Sequence, residues 1–243
     1  MEIAEHIEAL DREGALLADA AVRAGLDAAV PTCPRWRVRE LLSHTGRVHR
    51  WAARYVTESR TAPEPLPDDP GLDGGALVSW YRDGHRALVE ALTAAEAGLE
   101  CWTFLDAPSP RAFWARRQAH ETTVHRADAE AALGAGLSPV DPGFAADGLD
   151  ELLAFHALEA GKVRAAPPRT LRLRATDSGA VWTVRLSDAP PRVERTDRGA
   201  ADCELSGTAS ELYLTAWNRL PQTSVTVAGD AAVARLWREP SAI

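Results

Sequence analysis

Apolar positions recur at helical spacing over the first half of the chain and then begin to alternate, and this change of period is the first guide to the architecture. In residues 3–26, Ile7, Leu10, Leu16, Leu17 and Ala21 give a helix one apolar face. Val30-Pro31-Thr32-Cys33-Pro34 ends it, and Leu41, Val48, Ala52 and Tyr55 mark a second helix over 38–57. The run Ala62-Pro63-Glu64-Pro65-Leu66-Pro67 forbids continuation, and the proline-rich stretch 63–70 reads as a connector between helices. Two further helices are predicted over 75–95 and 111–133, the last stopped by Gly134 and Gly136. Four amphipathic helices of comparable length predict a bundle. Beyond Pro142, a helix over 144–161 precedes alternating runs, Leu171 to Ala175 and Val181 to Leu186, which read as antiparallel strands joined at Asp177-Ser178-Gly179. A strand over 203–206, a helix over 209–217, a strand over 224–227 and a helix over 230–237 complete the pattern. The predicted class is α+β, with a helical domain at 1–142 and a smaller α+β domain at 143–243.

Composition narrows the function classes. A chain of 243 residues with 46% hydrophobic content can bury full cores, and a net charge of -8 repels both nucleic-acid backbones and anionic membrane surfaces. The N-terminal Met-Glu-Ile-Ala-Glu-His-Ile-Glu lacks a basic segment followed by an apolar one, and no stretch reaches transmembrane length, so a soluble cytoplasmic protein is expected. Cys33, Cys101 and Cys203 are an odd count without paired metal-ligand spacing, which points away from a disulfide framework and from a cysteine zinc site. Eight tryptophans suit a well-packed monomer and leave a dimer open.

The candidate chemistry lies in Gln-Ala-His-Glu-Thr-Thr-Val-His-Arg-Ala-Asp. Glu121 and His125 stand four residues apart, on adjacent turns of one helix face, where a carboxylate and an imidazole can share a metal ion or form an ordinary polar pair. His44, on the second helix, faces or nearly faces the interior, as a third ligand or as a hydrogen-bonded core histidine. Two histidines and a glutamate would leave a coordination position open, the mark of a catalytic metal site. Asp128 follows His125 by three residues and can accept from its other ring nitrogen, or remain a solvated carboxylate. His120 and His49 are rival ligands by type, but their helical positions set them off the proposed face.

Two stretches carry a resemblance. Cys33-Pro34-Arg35-Trp36-Arg37-Val38-Arg39-Glu40-Leu41-Leu42-Ser43-His44 resembles the Cys-Pro-Gly-Trp-Thr-Val…Leu…His pattern of the mycothiol-dependent maleylpyruvate isomerase family, and Glu121 to Asp128 resembles its Glu-x-x-Val-His-x-x-Asp pattern. Gly207 to Leu212, Ala216-Trp217-Asn218-Arg219 and Val225 to Asp230 are similar to its C-terminal part, so the resemblance spans nearly the whole chain. It implies a DinB-like four-helix bundle that holds a divalent metal, usually zinc, through His44, Glu121 and His125, followed by a sterol-carrier-like α+β domain. It also implies that Arg219 meets an anionic group of the substrate; the residue reading alone leaves Arg219 equally open as a cation at a helix C-terminus. Where the family commonly has glycine before this arginine, the chain has Asn218. Trp36 and Trp217 read as packing residues, and Arg35, Arg37 and Arg39 as surface charges.

The resemblance further implies mycothiol as a thiol cosubstrate, since a thiol on a divalent metal is deprotonated whereas a free one is mostly protonated. Attack on a small electrophile would then make the enzyme an S-transferase, if the thiol stays, or an isomerase, if it leaves. Two other classes remain open: a zinc-dependent hydrolase using metal-bound water, which would lack the His-Glu-x-x-His arrangement, and a non-catalytic, metal-stabilised module that holds an apolar ligand or a protein partner.

Overall fold

The computed structural model describes residues 1–158 and 161–238. The chain divides between Ser138 and Pro139 into two compact units.

The first unit contains α1 (Ile3–Ala24), α2 (Val38–Glu58), α3 (Gly74–Ala94) and α4 (Pro110–Leu133). Local chemistry fixes the ends. Ser109 caps α4 by accepting from the Ala112 amide at 3.1 Å, with Pro110 in the first turn, where its missing N–H costs nothing. Gly134 closes the same helix at φ 73°, a left-handed conformation that glycine adopts without strain. The core takes Leu10, Leu17 and Ala21 from α1, Leu41, Leu42 and Ala52 from α2, and Leu77, Tyr81 and Leu88 from α3. One close approach has a specific cause. A Cβ on Gly14 would lie 2.2 Å from His85 Nε2, so only glycine lets this ring reach the α1 backbone, where it meets the Leu10 carbonyl at 3.0 Å.

Helix α4 departs from a simple amphipathic pattern. Almost every residue from Phe113 to Glu130 is buried, including Arg117, His120, His125, Arg126 and Asp128. Buried charges survive only when paired, and Arg126 is held by Glu13 at 2.8 Å and Glu130 at 2.6 Å. The stretch between α2 and α3 has no regular structure but is fastened along one row of α2. Ser43 donates to Asp69, Arg47 to the Pro67 carbonyl, Trp51 to the Glu64 carbonyl, and the Tyr55 hydroxyl accepts from the Glu64 amide. These four residues recur every fourth position, so the connector is clasped by one helical ridge.

The second unit opens with α5 (Pro142–Ala157) and contains a five-stranded sheet of β1 (Arg169–Ala175), β2 (Val181–Leu186), β3 (Arg192–Glu194), β4 (Cys203–Gly207) and β5 (Thr226–Gly229) in the order β3-β2-β1-β4-β5. The hairpin β1–β2 aligns Leu173 with Trp182, whereas β1 and β4 run parallel with Leu173 opposite Leu205. Leu171, Leu173, Trp182, Val184, Cys203 and Leu205 are buried, and α6 (Ala209–Ala216) and α7 (Ala231–Arg238) contact β1 and β4. Strand β3 was not anticipated: its one apolar residue, Val193, lies between Arg192 and Glu194 and leaves too short an alternation to read, so pairing with β2 creates it. A 3₁₀ turn at Gln222–Ser224 occupies the start of the strand expected over 224–227. The helix expected over 144–161 ends at Ala157, and residues 159 and 160 lie outside the described residues.

Candidate metal centre

Two helices and one loop build the centre. On α4, Arg117, Glu121, His125 and Asp128 follow one another at four, four and three residues, so they form one row. His44 comes from α2. One ligand atom from each of His44, Glu121 and His125 lies within 4.8 Å of the others. Glu121 Oε1 stands 3.5 Å from His44 Nε2 and 3.1 Å from His125 Nε2, so both imidazoles turn the same nitrogen toward one carboxylate oxygen. Two nitrogens and an oxygen converging in this way fit a divalent cation of zinc type.

The remaining atoms of two ligands are occupied. His125 Nδ1 donates to Asp128 Oδ2 at 2.8 Å, which leaves Nε2 as the ligand nitrogen. Arg117 Nη2 donates to Glu121 Oε2 at 2.8 Å, which leaves Oε1 facing the histidines. Asp128 is fully buried and receives two further donors from the α1–α2 loop, the Thr32 hydroxyl on Oδ1 at 2.5 Å and the Cys33 thiol at 3.7 Å. That loop is closed by backbone hydrogen bonds between Val30 and Trp36 at 3.0 Å and between Trp36 and Cys33 at 2.8 Å. It also lays Trp36 against the rings of His44 and His125, at centroid distances of 4.9 and 5.8 Å.

These surroundings set the charges. Burial alone would lower His125, but hydrogen bonds to Asp128 and Glu121 outweigh it and push the ring up to about 9. Burial likewise works against ionisation of Glu121, yet the two histidines and Arg117 hold its carboxyl well below the usual range. A carboxylate oxygen and two imidazole nitrogens turned toward one another offer their lone pairs to a metal cation.

The three residues expected as ligands are thus brought together, and Asp128 has the ring-nitrogen partner foreseen for it. His49 and His120 lie apart from the ligand set. His49 Nε2 meets Thr122 Oγ1 at 2.9 Å, and the His120 ring packs edge-on to His6 at 6.0 Å. Sequence reasoning missed Arg117 and Thr32. Arg117 had a signal, since it precedes Glu121 by one turn, whereas Thr32 is separated from Asp128 by 96 residues and had none. Arg39 is half-buried at the surface and pairs with Asp27 and Asp73, as a surface charge would. None of the three cysteines forms a disulfide.

Arg219 belongs to the second unit, where it is buried at 8% exposure and its Nη1 donates to the Trp217 carbonyl at 2.6 Å. The residue before it, Asn218, has φ 61°. This left-handed conformation is the reason a glycine would suit the position, and asparagine is among the few other residues that adopt it readily. The departure from the family pattern is therefore conservative in backbone terms.

A family model for the mycothiol maleylpyruvate isomerase N-terminal domain matches residues 7–130, and one for the MDMPI C-terminal domain matches residues 143–236. Among solved structures, the crystal structure of mycothiol-dependent maleylpyruvate isomerase matches with a TM-score of 0.67 and 14% identity, covering 94% of this chain and 93% of that one. A crystal structure of a histidine-to-alanine mutant of that isomerase matches with the same values. At this identity the likeness is one of fold. No curated protein matches the sequence. The two domain matches together take in both units, and the chain belongs to the mycothiol maleylpyruvate isomerase family.

Proposed function

We propose that this protein is a metal- and mycothiol-dependent enzyme that joins a low-molecular-weight thiol to a small electrophile, as an isomerase or an S-transferase. The observation that carries the reading is the convergence of His44, Glu121 and His125 ligand atoms within 4.8 Å, with Asp128 and Arg117 holding the atoms that face away. His44, Glu121 and His125 would hold a divalent cation, zinc by the donor set, which would supply the charge that favours the thiolate form of a thiol at neutral pH.

The chain's own residues do the rest. Asp128 fixes which nitrogen of His125 is presented, and Arg117 keeps Glu121 presenting a single oxygen. Trp36 covers one side of the two imidazoles and limits their contact with water. Arg219, with its buried guanidinium oriented by the Trp217 carbonyl, is proposed to meet an anionic group of the electrophile. None of the three cysteines is needed as nucleophile, since the thiol arrives as cosubstrate. Should the thiol leave after adding to an activated double bond, the outcome is isomerisation; should it stay, the product is a conjugate. A hydrolytic reading is less well supported, because Glu121 is committed to the ligand set and Asp128 to His125, which leaves neither to draw a proton from water.

The test is calorimetric titration of mycothiol into zinc-loaded protein, metal-free protein and the His44→Ala variant, with metal content measured on each. Binding is expected in the zinc-loaded protein alone, and His44→Ala is expected to lose zinc. Full zinc occupancy without thiol binding would overturn the proposal in favour of a hydrolase or a metal-stabilised binding module.

A further inference from the structure

We infer that Thr32 is a positioning residue for the metal centre, acting on the cation through Asp128 and His125 although it touches neither the cation nor any ligand. The inference rests on the metal reading above and deepens it.

The geometry forms a chain of three links. The Thr32 hydroxyl donates to Asp128 Oδ1 at 2.5 Å, and Asp128 Oδ2 accepts from His125 Nδ1 at 2.8 Å. His125 then presents Nε2, 3.1 Å from Glu121 Oε1. Asp128 is completely buried, so water cannot stand in for a missing donor there. With the threonine donor in place, Oδ1 is occupied and the carboxylate plane is fixed, leaving Oδ2 aligned on the imidazole. Without it, the buried carboxylate loses the donor that orients Oδ1, and the Cys33 thiol, 3.7 Å from Oδ2, is too weak a donor to hold the same plane. The imidazole then loses its anchor. Thr32 also sits in a loop closed by its own backbone bonds, so its hydroxyl is held where Asp128 needs it. Partners of this kind commonly alter metal affinity by about ten- to a hundred-fold.

The test is competitive chelator titration of zinc against the parent chain, Thr32→Val, Thr32→Ser, Asp128→Asn and the Thr32→Val/Asp128→Asn pair, alongside the thermal stability of each metal-free form. Zinc affinity is expected to fall roughly ten-fold or more in Thr32→Val, to return in Thr32→Ser, and to fall no further when Thr32→Val is added to Asp128→Asn. Should the valine variant not fold, Thr32→Ala removes the same hydroxyl without adding bulk. Affinity within two-fold of the parent, or an equal loss on the Asp128→Asn background, would overturn the inference and leave the metal reading intact. Absence of zinc binding by the parent chain would overturn both.

Discussion

At the scale of single residues, the chain separates the proposed metal ligands from the side chains that orient them. Glu121, His125 and Asp128 were legible from their spacing along one helix, whereas His44, on another helix, was joined to them by the family resemblance. Thr32 was not legible, because its role depends on a loop that closes on α4 only once the bundle has formed. Asn218 shows the opposite case, where the sequence departs from the family pattern yet keeps a backbone conformation that glycine also favours. It holds φ 61°, and its side chain nitrogen and oxygen have no partner among the described residues. Replacing it with glycine, which favours this φ still more than asparagine does, removes two buried polar atoms. Asn218→Gly is therefore expected to leave the fold unchanged and to raise stability by about 1 kcal/mol, measured by chemical denaturation. A loss of stability would show that its side chain packing outweighs both.

At the scale of elements, helices were easier to read than strands. The period of α1 to α4 is carried by many residues each, whereas β3 has three residues and exists only through its pairing with β2. The junction of α5 and α7 holds a titratable group that the sequence did not single out. His156 lies near the end of α5 with its ring 4.7 Å from Trp237, and burial lowers it to about 4. Its Nε2 has no hydrogen-bond partner among the described residues. The unfolded chain binds a proton near the ordinary pH of about 6.5, which the folded one refuses until pH falls further. Stability is thus full above that range and is lost as pH drops from about 6.5 toward 4, by about 3 kcal/mol. Denaturant unfolding of the parent chain and of His156→Gln at pH 7 and pH 4.5 checks this: the variant is expected to lose much of the difference between the two conditions. An equal difference in both proteins would remove His156 as its source.

At the scale of the whole molecule, the division at Ser138 and Pro139 puts the proposed ion and His156 in different compact units. The change of period near Pro142 announced two kinds of structure. A ligand that binds only the native state stabilises by about 2.7 kcal/mol at a hundred times its dissociation constant. Scanning calorimetry with and without a chelator is therefore expected to move the melting of the helical unit and leave that of the α+β unit in place. A single transition that shifts as one would show that the units unfold together. The row of α2 that clasps the connector has a consequence of its own. Ser43, Arg47, Trp51 and Tyr55 grip residues 64 to 69, while the adjoining His44 is a proposed metal ligand. Segments between those grips are free to gain, lose or exchange residues while the ligand beside them keeps its place. The helix thus sets a region open to innovation directly alongside the proposed metal centre.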